Sequence, residues 1–198
     1  MYECAGVDRP IRAFIASELP REIIDFAAGL QNRLKGQGYA LKWARPQNMH
    51  LTLKFLGDIE YCLKDGIIEA MATVAQTVSP MTLAVQGMGV FPGIRKARVL
   101  WIGLGGETDR LTQAHAQLQD ALVPMGFPKE KRRFNAHLTV ARINTPLDAG
   151  RLLEVIQMEG GYPPVTFCMD EMVLFQSELR PQGARYTALG RVALSGIS

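Results

Sequence analysis

The sequence predicts a mixed α and β fold of two equivalent lobes facing each other across a central cleft. Three observations lead there. His50-Leu51-Thr52-Leu53 and His137-Leu138-Thr139-Val140 are two copies of one pattern, His-x-Thr-x with aliphatic residues at both x positions. The surroundings repeat too, because strand, helix, His-x-Thr strand, helix, strand is read about twice along the chain. No low-complexity stretch or long linker parts the copies, so residues 1–198 are expected to form a single bilobal domain.

The two histidines are 87 residues apart (137 minus 50). At that offset Asn48 meets Asn135, Arg45 meets Arg132, and Ala97-Arg98 meets Ala184-Arg185. Phe14 falls on Trp101, and Gly38-Tyr39 lies one residue from Gly126-Phe127. This agreement without large gaps reads as an internal duplication, about 11–97 and 98–184, with a pseudo-twofold axis.

Each element has its own signal. Ile11 to Ser17 is an apolar run that reads as a buried strand, ended by Leu19-Pro20. Ile23, Phe26, Ala27, Leu30 and Leu34 recur at helical spacing over Arg21 to Lys35, and Gly36 and Gly38 stop that helix. Leu41-Lys42-Trp43 and a turn at Arg45 to Asn48 lead into the first His-x-Thr strand, which runs to about Phe55 and is broken by Gly57-Asp58. A helix from Leu63 to Val78 ends at Ser79-Pro80. Met81 to Val90 and Arg98 to Leu104 read as strands around Phe91-Pro92-Gly93. The pattern recurs with a helix over Thr108 to Leu122, a turn at Gly126-Phe127, the second His-x-Thr strand and a helix over Leu147 to Gln157. Strands are expected at Val165 to Cys168, Met172 to Phe175 and Tyr186 to Leu194.

Composition excludes several classes. The chain is 47% hydrophobic and 21% charged, as an ordinary globular protein is. Its formal charge of +3 fits an anionic partner without requiring one. Cys4, Cys62 and Cys168 are odd in number and widely spaced, which speaks against a disulfide framework or structural zinc and for a reducing compartment. Met1 to Pro10 has no apolar signal core, and no apolar run approaches the ~20 residues of a bilayer span. A cytoplasmic protein without membrane contact is expected.

Side chains alternate between the faces of a strand. Each motif therefore puts imidazole and hydroxyl on one face and two aliphatic side chains on the other. Burying the aliphatic face leaves His50 with Thr52, and His137 with Thr139, in an open groove. Two opposed histidines can serve as general base and general acid, because imidazole titrates near about 6.5. In-line displacement at phosphorus suits such a pair, since attacking and leaving oxygens lie on opposite sides. Threonine hydroxyls can hold the non-bridging oxygens, and Arg98, Arg185, Lys131, Arg132 and Arg133 supply cationic loops. Lys54 shares the parity of Thr52 and is placed at the border of the cleft. Arg142 falls on the apolar face by strict alternation.

Other readings of the histidines are a buried, hydrogen-bonded core role or a metal site. Neither strand offers a second ligand on the same face, so no metal is expected. His115 has no repeat partner and reads as surface or packing. No covalent nucleophile and no glycine-rich phosphate loop are visible, so no ATP or other cofactor is expected.

The quoted motifs resemble the two-histidine phosphoesterase superfamily. Arg12-Ala13-Phe14-Ile15-Ala16, Arg45 through Gly57, Arg98-Val99-Leu100-Trp101, His137 through Arg142, Ser177-Glu178-Leu179 and Gly183-Ala184-Arg185-Tyr186 resemble one branch closely. That branch is the RNA 2',3'-cyclic phosphodiesterases, formerly called 2'-5' RNA ligases. The family often has Pro before the second histidine, where this chain has Ala136.

The resemblance implies a bilobal α+β fold, with an antiparallel sheet and helices in each lobe. It implies metal-independent hydrolysis of an RNA or nucleotide 2',3'-cyclic phosphate terminus to a 2'-phosphomonoester. A monomer is expected. It makes His50 the proton donor and His137 the proton acceptor, roles the repeat alone leaves interchangeable. Thr52 and Thr139 would bind the phosphate, with Arg98, Arg142, Arg185 and Tyr186 around the substrate. Ligation by the reverse reaction, or nucleotide binding without turnover, are the competing functions.

Overall fold

The computed structural model describes residues 9–181 and 183–196. The strands are β1 (Ile11–Glu18), β2 (Lys42–Trp43), β3 (His50–Ile59), β4 (Met81–Phe91), β5 (Val99–Gly106), β6 (His137–Arg142), β7 (Val165–Met169), β8 (Glu171–Arg180) and β9 (Gly183–Ala193). The helices are α1 (Arg21–Gly36), α2 (Lys64–Ala75), α3 (Thr108–Leu122) and α4 (Ala149–Glu159).

The strands form two antiparallel sheets, ordered β3-β1-β8-β9 and β2-β6-β5-β4-β7. The α+β bilobal fold is as the sequence predicts. The orders β3-β1-β8 and β6-β5-β4 correspond, with a histidine strand first in each. The strand closing each repeat is laid in the other sheet, since β4 pairs with β5 and β8 with β1. A sheet therefore holds strands from both halves of the sequence.

Boundaries differ from the sequence reading for local reasons. Gly57 does not break β3. It takes φ +79° at an irregularity between Ala13 and Phe14, and the strand runs on to Ile59. α2 stops at Ala75 rather than Val78, where the Thr77 amide and hydroxyl both donate to Val74 O. α4 starts at Ala149 because the Asp148 side chain accepts from the Arg151 amide at 2.7 Å.

Leu51, Leu53, Leu138 and Val140 are all buried in one apolar core that also takes Ile23, Leu30, Leu111 and Leu118 from the helices. α2 packs on β8 and β9, and α4 on β4. The opposite face of the β3-β1-β8-β9 sheet carries a separate small cluster, Phe14, Ala16, Val173 and Phe175, with Tyr186 against it. That face is where His50 stands.

Among the described residues no helix is long and apolar enough to cross a membrane. Cys168 is a free, exposed thiol. Cys4 and the other residues before Arg9 lie outside the described residues.

Candidate active site

Each histidine opens its strand and is fixed by the turn before it. His50 Nδ1 lies 2.8 Å from Asn48 O, and His137 Nδ1 lies 2.7 Å from Asn135 O. A carbonyl only accepts, so Nδ1 carries hydrogen in both rings. Nε2 is then the reactive nitrogen of each, a base when the ring is neutral and an acid when it is charged. The Asn48 side chain extends the brace by donating to Ala184 O at 2.7 Å on β9. Strands β3 and β6 pack against each other, and His137 is close enough that its charge opposes charging of His50.

The floors of the two sites differ. His50 stacks on Phe14 (centroids 4.7 Å apart) and meets the edge of Tyr186 at 5.3 Å. Burial there is the main cause that lowers its pKa, with the Asn48 bond opposing. His137 has Phe91 at 5.0 Å and Trp101 at 6.5 Å, both edge-on. Phe14 lies flat against His50, whereas Trp101, which pairs with Thr139 where Ala16 pairs with Thr52, meets His137 only edge-on. An indole fits over β4 only because position 89 is glycine: a Cβ there would lie 2.3 Å from Trp101 Cζ2. Among the described residues the buried indole Nε1 has no hydrogen-bond partner, so packing alone holds that ring.

Matching bulges shape the rest. Ala16 pairs with Thr52 and Ile15 with Lys54, leaving Leu53 out of register; Trp101 pairs with Thr139 and Leu100 with Ala141, leaving Val140 out. Past each bulge the faces exchange. Lys54 is therefore buried, not at the cleft border, and the next residue, Phe55, is 63% exposed. Arg142 is likewise returned to the exposed row, against strict alternation. The bulge carbonyl of Val140 is secured by the Ala44 amide and by buried Gln31, each at 2.9 Å.

Arg142 is near enough to the other sheet's aromatic cluster for its charge to be felt at Tyr186. Burial raises the Tyr186 pKa, and the cations that oppose it are Arg142 and Arg12. His50 is thus linked to Tyr186 by ring contact and to His137 by charge, and Tyr186 to Arg142 by charge, while Thr52 and Thr139 stand two residues on from the histidines in β3 and β6. A cavity of about 270 Å³ adjoins His50, lined also by Glu18, Leu19, Asn48, Phe175 and Tyr186. Arg98 and Arg185 are not drawn in. Arg185 pairs across β8–β9 with Glu178, one residue out of step with Tyr186. Arg98 is exposed and out of step with Trp101, its backbone tied to Phe91 and Ile143.

The sequence reading missed Arg12 and Phe14 as neighbours of the site, although their alternation along β1 signals a shared face with Glu18. It missed Phe55 because the bulge that exposes it has no sequence marker. Among the described residues no three His, Cys, Asp or Glu side chains gather to hold a metal.

The chain is similar to proteins already known. The chain is 32% identical over 177 residues to an RNA 2',3'-cyclic phosphodiesterase of Methanothermobacter thermautotrophicus, covering 89% of this chain and 95% of that one. It is 31% identical over 192 residues to the Aquifex aeolicus RNA 2',3'-cyclic phosphodiesterase, covering 94% and 98%. A Thermus thermophilus structure superposes with TM-score 0.77 at 25% identity, covering 94% of this chain and 99% of that one. E. coli LigT, solved with NADP+, superposes with TM-score 0.71 at 25% identity, covering 95% and 99%. The model of the 2'-5' RNA ligase superfamily matches residues 19–180, and the chain belongs to that family.

Proposed function

We propose that this protein is an RNA 2',3'-cyclic phosphodiesterase, hydrolysing cyclic phosphate termini to 2'-phosphomonoesters with His50 and His137 as an acid–base pair. The observation that carries the reading is the matched bracing of two imidazoles, each with Nδ1 held by a carbonyl two residues upstream. Bracing leaves two Nε2 atoms of fixed orientation in one cleft. The names of the relatives supply the substrate class.

In the proposed step His137 Nε2 takes a proton from water as its oxygen bonds to phosphorus. The P–O3' bond breaks, and His50 Nε2–H gives its proton to O3'. One water is consumed, and the 2'-phosphate and free 3'-hydroxyl remain. Thr52 and Thr139 donate to the non-bridging oxygens, where charge is held. Arg142 adds a cation on the same side. Exposed Phe55 offers a face on which the terminal base can stack.

Burial holds free His50 below its ordinary pKa, which opposes its service as an acid. The substrate corrects this. An anionic phosphate within a few ångströms favours the imidazolium, so His50 charges as the ester binds.

The corresponding strand orders, bulges and braced histidines support an origin by duplication of a unit near 11–97 and 98–184, with the last strands exchanged. The functional reading is tested by incubating the protein with a nucleoside 2',3'-cyclic phosphate in excess chelator and separating the product isomers. A 2'-phosphate alone is expected, with turnover lowered by about 10²-fold or more in either His50→Ala or His137→Ala. A 3'-phosphate product, or activity that chelation removes and one divalent ion restores, contradicts it.

A further inference from the structure

One buried cation has no part in the chemistry above. Lys54 follows the first motif on β3, and the bulge at Leu53 turns it inward until it is 3% exposed. Its ammonium donates to the Gln119 side-chain oxygen and, at 2.8 Å, to Pro128 O. A buried ammonium without partners is costly, so these acceptors are held firmly.

They belong to the chain between α3 and the second histidine. Gln119 Oε1 also accepts from the Glu130 amide at 3.3 Å. The Gln119 amide donates to His115 Nε2 at 3.0 Å, and the His115 ring lies flat on Phe134 with centroids 3.9 Å apart. Pro128, Glu130 and Phe134 thus hang on one buried cluster centred on Gln119. The segment has no helix or strand of its own and runs straight into Asn135, whose carbonyl braces His137.

We infer that Lys54 is a positioning residue for His137: rooted in the strand of the first histidine, it anchors the segment carrying the brace of the second. The anchor ties the placement of one imidazole to the strand of the other. The inference rests on His137 acting in turnover as proposed above.

Lys54→Met and Gln119→Leu cut the cluster from opposite sides, one on β3 and one on α3. Each is assayed on a nucleoside 2',3'-cyclic phosphate, with backbone hydrogen exchange followed residue by residue. A catalytic group misplaced by about 1 Å can cost ~10²-fold, so kcat should fall by about 10-fold or more while KM holds. Exchange should speed at Glu130 and its neighbours but not in β1 or β5. Added to His137→Ala, neither substitution should lower turnover further. If Lys54→Met does not fold, Gln119→Leu, which leaves β3 untouched, decides the matter. Wild-type kcat with unchanged exchange in a folded variant overturns the inference. So does a further loss on top of His137→Ala, which places the effect elsewhere. Wild-type turnover in His137→Ala alone sinks the acid–base reading and the positioning role together, and exchange at Glu130 then shows separately whether the anchor exists.

Discussion

Gly89→Ala should damage catalysis through one methyl group that never touches substrate. The new Cβ would lie 2.3 and 2.4 Å from Trp101 Cζ2 and Cη2. Carbon atoms rest at about 3.5–4.0 Å, so the indole must move by more than about 1 Å. Among the described residues no hydrogen bond holds its Nε1 in place. The indole also lies beside Gly103, where an added Cβ would be 3.4 Å from Trp101 Cζ3. The ring is driven off the sheet, toward Phe91 at 5.1 Å and His137 at 6.5 Å.

Overpacking costs typically 1–3 kcal/mol, which for a domain of this size lowers Tm by roughly 2–12 °C. The larger effect is on His137, where an error of about 1 Å costs up to ~10²-fold in kcat/KM. Gly190→Ala is the control. Its Cβ would meet Ile68 Cδ1 at 2.4 Å, on the α2 side of the other sheet, so stability falls and activity does not. Urea unfolding and kcat/KM are measured on both variants at a temperature where each is folded. Gly89→Ala that is destabilised yet keeps wild-type kcat/KM would refute the claim that the Trp101 floor fixes His137.

Three other outcomes are expected. Phe55→Ala should raise KM for a nucleotide substrate by about 10-fold or more, because stacking on an aromatic face contributes ~1–3 kcal/mol per base; its melting temperature should hold, and unchanged KM would remove Phe55 from the substrate site. Thr52→Ala and Thr139→Ala should each lower kcat/KM by about 10- to 100-fold, the loss of one hydrogen bond to a charged oxygen of roughly 1.5–3 kcal/mol; an effect below this range in both would place the phosphate elsewhere. Stability should fall as pH drops below about 6.5. Burial, as the main cause, lowers both His50 and His115 in the folded chain, so the unfolded chain takes up more protons in that window and the contribution is fully present only above it. Unfolding free energies that rise on acidification from pH 7 would contradict this.

The paired cleft was legible because the motifs alternate cleanly: His50 and Thr52 against Leu51 and Leu53, His137 and Thr139 against Leu138 and Val140. Alternation stops being a guide one residue later. The bulges at Leu53 and Val140 are set by pairing with β1 and β5, across long sequence separation, and nothing local marks them. They reverse the placement of Lys54 and Arg142 and expose Phe55. Arg98 and Arg185 were placed at the site because they match in the repeat, yet repeat equivalence does not choose a face. The exchange of β4 and β8 between sheets is hidden for the same reason, since each strand keeps its pattern whichever sheet receives it.

The most direct measurement of the acid–base account compares two cyclic phosphate substrates, one with a better leaving group, on His50→Ala and His137→Ala. A good leaving group needs no proton, so it should restore turnover to His50→Ala and leave His137→Ala impaired. Equal rescue of both variants would dissolve the assigned roles, and rescue of His137→Ala alone would reverse them.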